Sequence, residues 1–236
     1  MSGHSKWSTI KRKKGAKDAK RGAIFSRLSK DITLAARDGG KDIDMNAALR
    51  LVVKKAKASN MPNDNIDRAI KKGTGELPGI KYESYIYEGY GPYGVALLIE
   101  VLTDNKNRTV PEIRHLLTKN NGNLGESGCV NWMFEKKGII LIKKNNFNED
   151  IFLSDLLDLD IDNYEETDDE YEIFINPEDF TIITTSLESK GYQLEGNLSL
   201  MPINTIEIDD NELDKVAQLI ELLEEHDDVQ KVHANL

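Results

Sequence analysis

The chain has 236 residues, 39% of them hydrophobic, with a formal net charge of −10 and one cysteine. That apolar share suffices for one large or two to three small packed domains and excludes disorder throughout. The lone Cys129 excludes an internal disulfide and fits a reducing compartment, and the longest apolar run, VALLIEVL, is broken by Glu100 and too short to span a bilayer.

Charge is segregated along the chain. The first thirty residues hold seven Lys and three Arg against one acid, Asp18, a net of +9. Residues 1–81 hold twenty cations against eight acids, a net of +12, and the remainder eleven cations against thirty-three acids, a net of −22. Such asymmetry predicts a basic nucleic-acid-binding module carried by an acidic body. Because screening acts over roughly 8 Å at physiological salt, a body held further away hardly weakens the module's attraction for phosphate.

Taken in order, residues 1–16 lack apolar periodicity and contain KRKK, so a mobile arm is expected. From Lys17 the pattern turns helical: Phe25, Leu28, Ile32 and Ala35 recur at three, four and three, with Lys20, Arg27, Lys30 and Arg37 on the other side and Gly39–Gly40 as the stop. A second helix starts near Asp44 or Asn46, turns Leu49, Val52, Val53 and Ala56 inward, and leaves Arg50, Lys54 and Lys57 on one outer face. Pro62 breaks the pattern, and Asn63 is the expected cap of a third helix that buries Ile66, Ala69 and Ile70, exposes Arg68, Lys71 and Lys72, and stops at Gly73.

After GTGELPG the character changes to strands. Gly89, Gly91 and Gly94 spell G-x-G-x-x-G, but an aliphatic run follows where a dinucleotide site needs a helix N-terminus, so the glycines are read as a strand connection. In TDNKNRTVPEIRHLL, Thr109 and Glu112 have capping-box spacing, with Pro111 tolerated in the first turn. Asp104, Asn105, Asn107 and Arg108 then form a polar loop before that helix, a candidate contact loop balanced evenly between turn chemistry and a binding surface. Gly125 to Gly128 look like part of a hydrolase elbow, but the fifth position is Cys129 and no triad partner is placed to complete it. Cys129, among apolar neighbours, reads as a packed thiol.

The stretch from about Lys136 to Met201 alternates strands (GIILI, EYEIFI) with helices (NEDIFLSDLL, PEDFTIITTSLESKG). Inside it DLDIDNYEETDD resembles a calcium loop, yet Asn163 replaces the glycine and the final Glu is absent, so an acidic edge is expected, with Leu157, Leu159 and Ile161 alternating as on a strand. The last thirty-five residues read strand, helix, strand, and the final strand needs the sheet opened by residues 82–134.

GHSKW at Gly3 to Trp7, DAKRG at Asp18 to Gly22, NMPNDNI, YEGYGPYG, TDNKNRT and GNLGESGCVNWMF resemble the YebC/PmpR family, in order and over nearly the full length. The resemblance implies a middle domain in two pieces with the acidic domain inserted, and it makes the loop at 104–109 a family hallmark. It leads to an expected α+β fold: an N-terminal three-helix domain over 1–80, then two small α/β-sandwich-like domains, 81–134 with 203–236, and 135–202 inserted. Tyr93 departs from the family pattern, which usually has Gly there. Because the family-like motif starts at Ser2, no removable leader and a cytoplasmic location are expected.

His4, His115, His226 and His233 are scattered and no cysteine cluster exists, so no catalytic centre, cofactor or metal is expected. Nor does the composition call for a membrane or a small-molecule substrate. The expected partner is nucleic acid, gripped by Lys6, Trp7, Lys11, Arg12, Lys13, Lys14, Lys17, Lys20, Arg21, Arg27, Lys30, Arg37, Lys54 and Lys57. Asp64 and Asp67 at the start of the third helix oppose a standard groove reader. A lysine-rich arm with His4 and Trp7 suits RNA, although Trp7 equally suits a hydrophobic anchor. The family is commonly described as transcriptional regulators, with mitochondrial and some bacterial members acting on ribosomes. An rRNA- or ribosome-associated translation factor is therefore the first expectation and a DNA-binding transcriptional regulator the second.

Overall fold

Apolar spacing in the first third dictates three helices: α1 (Arg21–Gly39), α2 (Ala47–Ala58) and α3 (Asn63–Gly73). The computed structural model describes residues 21–77, 82–144 and 147–236. The arm expected over 1–16 lies outside them. Described residues divide into two compact units, one gathering 21–24, 77–135 and 200–236 and the other 25–76 and 136–199.

In the second unit, Leu28, Ile32 and Ala36 of α1 meet Leu49, Val53 and Ala56 of α2 and Ile66 and Ala69 of α3 in one core. Asn46 fixes the α1–α2 corner. Its side-chain amide donates to the carbonyls of Ala35 (2.8 Å) and Gly40 (2.9 Å), and its Oδ1 accepts from the Leu49 N–H at 3.0 Å. One side chain thus satisfies carbonyls at the end of one helix and caps the start of the next. Asn63, the expected cap of α3, is instead its first helical residue; Pro62 holds the cap position and makes no side-chain cap bond. Pro62 contributes a fixed φ of −58°, which leads the chain directly into the helix.

The same unit contains a four-stranded sheet in the order β5-β6-β4-β7, built from β4 (Phe134–Lys143), β5 (Asn163–Glu166), β6 (Glu170–Ile175) and β7 (Leu194–Pro202). Helices α5 (Glu149–Leu157) and α6 (Phe180–Ser189) cover it, with Phe152, Leu156, Phe180, Ile183 and Leu187 packed on Ile140, Ile142, Tyr171, Ile173 and Ile175. Ala47 and Leu51 of α2 belong to this second core. Helix α2 therefore has two buried faces, one towards α1 and α3 and one towards the acidic layer. The alternation of Leu157, Leu159 and Ile161 does not make a strand: Leu157 ends α5, and β5 begins only at Asn163. Burial decides this, because Leu157 is 87% exposed and offers a sheet nothing.

In the first unit, β1 (Glu83–Tyr90), β2 (Ala96–Thr103), β3 (Asn123–Leu124) and β8 (Val229–Ala234) form an antiparallel sheet in the order β3-β1-β2-β8. The final strand, β8, pairs with β2, so the chain returns to this sheet after the acidic layer. Helices α4 (Lys106–Lys119) and α7 (Asp210–Glu225) lie on one face, where Ile113, Leu117, Val216, Leu219 and Leu223 pack on Leu97, Ile99, Val101 and Val232. The glycine-rich run joins β1 to β2 through a 3-10 turn at Pro92–Gly94. Tyr93 adopts a φ of 62°, a left-handed conformation that costs a non-glycine residue about 1 kcal/mol. Its hydroxyl accepts from Lys215 Nζ at 2.9 Å and its ring lies under the same ammonium, two contacts glycine could not make. The fold is α+β, helical at the N-terminal side and mixed thereafter.

Candidate nucleic-acid interface

Of the fourteen residues expected to bind nucleic acid, Lys6, Trp7, Lys11, Arg12, Lys13, Lys14, Lys17 and Lys20 lie outside the described residues, and Arg21 opens α1. The remaining five fall on α1 and α2 and differ in what they face. Arg27 and Lys57 are exposed and make no ion pair among the described residues. Lys30 is half-buried. Arg37 Nε donates to Asp38 Oδ1 at 2.8 Å, and Lys136 Nζ reaches the other oxygen of Asp38 at 3.1 Å. Lys54 Nζ stands 3.8 Å from Glu188 Oε1.

Helix α2 shows why these differences arise. Its second buried face brings it against α6 and β7, where Arg50 pairs with Glu188 at 3.2 Å and Lys55 with Glu195 at 2.6 Å. Cations on that side meet the protein's own carboxylates, and each such charge is less available to a phosphate. On α3, Arg68 and Lys71 are exposed and unpaired among the described residues. Their three-residue spacing places them together on the outer face, a signal the sequence already carried. Arg27, Lys57, Arg68 and Lys71 are thus the cations of this helical set that stand ready for an outside anion.

The loop expected at 104–108 is largely the start of a helix. Asn105 caps α4, its Oδ1 accepting from the Arg108 N–H at 3.2 Å, so Asn107 and Arg108 lie in the first turn and Asn107 is exposed. Thr109 does not cap it. Its hydroxyl is fully buried and lies 2.6 Å from Asp228 Oδ2, which also accepts from Thr103 Oγ1 at 3.0 Å and Arg108 Nη2 at 2.8 Å. Arg108 Nη2 also donates to Asp104 Oδ1 at 3.1 Å. Burial alone would raise the Asp228 pKa, but the donors from Thr109, Arg108 and Thr103 outweigh it and hold the carboxyl below its ordinary value. The same pairing raises the pKa of Arg108. Arg108 is therefore a clamped cation, facing two carboxylates.

A second carboxylate site escaped the sequence reading. Glu88, 6% exposed on β1, accepts the backbone N–H groups of Gly128 (2.7 Å), Val130 (2.8 Å) and Asn131 (2.8 Å). Burial works against its charge, and the three donors prevail, leaving its pKa lowered. This latch shapes the loop carrying Cys129, whose thiol packs beside Val130 and Phe134 and has its pKa raised, first by burial and then by Glu88. A half-buried thiol with a raised pKa is a poor nucleophile, in keeping with a packed role. Among the described residues no group of His, Cys, Asp and Glu is arranged to hold a metal ion, and no helix is long and apolar enough to cross a membrane.

Residues 5–76 match the model of the TACO1/YebC protein N-terminal domain, and residues 82–236 that of the TACO1/YebC second and third domain. The chain belongs to the TACO1/YebC family. TACO1/YebC relatives align along all of it. A probable transcriptional regulatory protein of Desulfotalea psychrophila is 52% identical over 100% of this chain and 95% of its own length, and one of Halothermothrix orenii is 50% identical over 100% and 94%. The crystal structure of a conserved hypothetical protein from Aquifex aeolicus superposes with a TM-score of 0.78 at 42% identity, covering 92% of this chain and 90% of that one.

Proposed function

We propose that this TACO1/YebC member is a non-enzymatic, nucleic-acid-binding regulator of gene expression whose target is ribosomal RNA, and that it works as a ribosome-associated translation factor in the cytoplasm. One observation carries this: a net of +12 over residues 1–81 against −22 over the rest. The helical module 1–80 grips phosphate, and the acidic domains 81–134 with 203–236 and 135–202 position it. Within the module, the exposed Arg27, Lys57, Arg68 and Lys71 supply charge without an ion pair among the described residues, and the basic N-terminal stretch with Trp7 supplies the rest. The arm suits RNA because a lysine-rich segment follows an irregular phosphate surface and an aromatic stacks on an unpaired base. Asp64 and Asp67 at the start of α3 repel the phosphates that a helix entering a major groove would meet.

The relatives' names as probable transcriptional regulatory proteins favour a second reading, a regulator of transcription that binds DNA through the same cations. Ribosome co-sedimentation of the wild type beside a variant with Lys13, Lys14, Lys20 and Arg21 changed to Glu tests the first. Wild-type protein is expected to sediment with ribosomes and the variant to stay in the supernatant. Equal sedimentation of both removes the arm from the mechanism, and a preference for one duplex sequence that survives competitor RNA favours the transcriptional reading.

A further inference from the structure

Helix α4 stands out electrostatically within the acidic first unit. Residues 82–135 and 200–236 contain six cations against seventeen acids, yet four of the six, Lys106, Arg108, Arg114 and Lys119, lie on α4 with a single acid, Glu112. Its neighbour on the same sheet face, α7, has the opposite make-up, six acids and one lysine. If α4 were merely solvated like the rest of the unit, its outer face would be acidic.

The six cations are used differently. Lys106 Nζ lies 4.8 Å from the centroid of the Tyr85 ring, Arg108 is clamped by Asp104 and Asp228, and Lys215 is taken by Tyr93. Lys231 is half-buried and already engaged. Arg114 and Lys119 remain, exposed and without an ion pair among the described residues. The one acid of the helix is turned away from them, since Glu112 Oε2 is bonded to His226 Nε2 at 2.9 Å. His226 Nδ1 accepts from the Asp228 N–H at 3.1 Å, which holds that imidazole in place. At 100° per residue, His115 and Lys119 share a stripe with Arg108, and Arg114 stands at the far edge of the exposed arc, about 100° round the helix from His115 and about 140° from Lys119. The stripe from 108 to 119 is about 16 Å long at 1.5 Å per residue. Its backing is rigid: Ile113 and Leu117 are fully buried, and Thr109 is tied to Asp228.

We propose that the outer face of α4, centred on Arg114 and Lys119 with His115 between them, is a second phosphate-contacting surface for RNA, made of residues separate from the N-terminal module. The inference rests on the RNA reading proposed above. In this arrangement Asp228, Asp104 and Glu112 fix the helix and withdraw its own acid, so the two unpaired cations face outward on a rigid support.

Binding of the full-length chain to a fluorescently labelled hairpin RNA, measured by anisotropy across a salt series, tests it. Arg114→Gln with Lys119→Gln is expected to weaken binding and to flatten the log affinity against log salt slope by about 1.4 to 1.8, the value for two lost phosphate contacts. Both positions are exposed, so the melting temperature of the double variant should match the wild type, and circular dichroism checks this. An unchanged slope in the double variant, beside a steep wild-type slope that falls when Arg27 and Lys57 are neutralised, overturns this surface and leaves the N-terminal module standing. A wild-type protein with no salt-dependent RNA binding overturns the underlying reading and this inference with it.

Discussion

Thr109 Oγ1 and Asp228 Oδ2 lie 2.6 Å apart, joining the first turn of α4 to the start of β8 across more than a hundred residues. With Thr103 and Arg108 on the same carboxylate oxygen, this contact closes the loop after β2 onto the turn before β8. Thr109→Val removes one donor to a buried carboxylate and is expected to cost about 1–3 kcal/mol, read as a lower midpoint in urea unfolding at unchanged m. The pH dependence has a definite sign. Because the Asp228 pKa is depressed in the fold, its contribution is present above the unfolded value near 3.9 and is lost as pH falls through the lower folded value. Asp228→Asn should therefore be less stable at neutral pH and lose less stability on acidification below about pH 4 than the wild type.

Glu88 makes the same kind of statement about the Cys129 loop. Glu88→Gln keeps the shape but replaces an acceptor of three N–H groups with an amide that has one acceptor atom and two donors. Hydrogen exchange at the amides of Gly128, Val130 and Asn131 should accelerate in the variant while the amides of β2 keep their protection. Equal protection in both proteins would show that the loop holds without the carboxylate.

Gly73 ends α3 where it crosses α1. A Cβ there would lie 2.3 Å from the Thr33 carbonyl oxygen, a backbone atom that cannot move aside alone. Gly73→Ala should destabilise the protein by about 1–3 kcal/mol through overpacking, seen as a lower melting temperature.

Arg50 and Arg27 separate structural from binding cations. Arg50 pairs with Glu188, whereas Arg27 is exposed and has no pair among the described residues. Arg50→Gln is expected to cost up to about 1 kcal/mol of stability and to leave the salt slope of RNA binding unchanged. Arg27→Gln should flatten that slope by roughly 0.7 to 0.9 with little change in melting temperature.

How much of this the sequence discloses depends on whether the cause is local. Helices α1 to α3 follow from the spacing of Leu28, Ile32, Leu49, Val53, Ile66 and Ala69, and the cap at Asn46 from its place before an apolar run. Thr-x-x-Glu at Thr109 and the earlier Asn105 are both valid cap signals, and only the distant Asp228, which takes the Thr109 hydroxyl, decides between them. The second buried face of α2 rests on Ala47 and Leu51, too few apolar positions to register as a stripe. The carboxylates that meet α2, Glu188 and Glu195, are two of thirty-three acids beyond residue 81, and nothing local marks them. Glu88 is hidden for the same reason. The overall segregation of charge needs no pairing information, so the +12 and −22 halves are legible in the sequence alone.

The most direct test of that module is RNA affinity measured against salt for the wild type and for a variant with Arg27, Lys57, Arg68 and Lys71 all changed to Gln. A phosphate-gripping module predicts a steep wild-type slope that flattens by up to about 2.8 on single-stranded RNA when four contacts are lost, with folding intact. A flat wild-type response, or an unaltered slope in the variant, would contradict it.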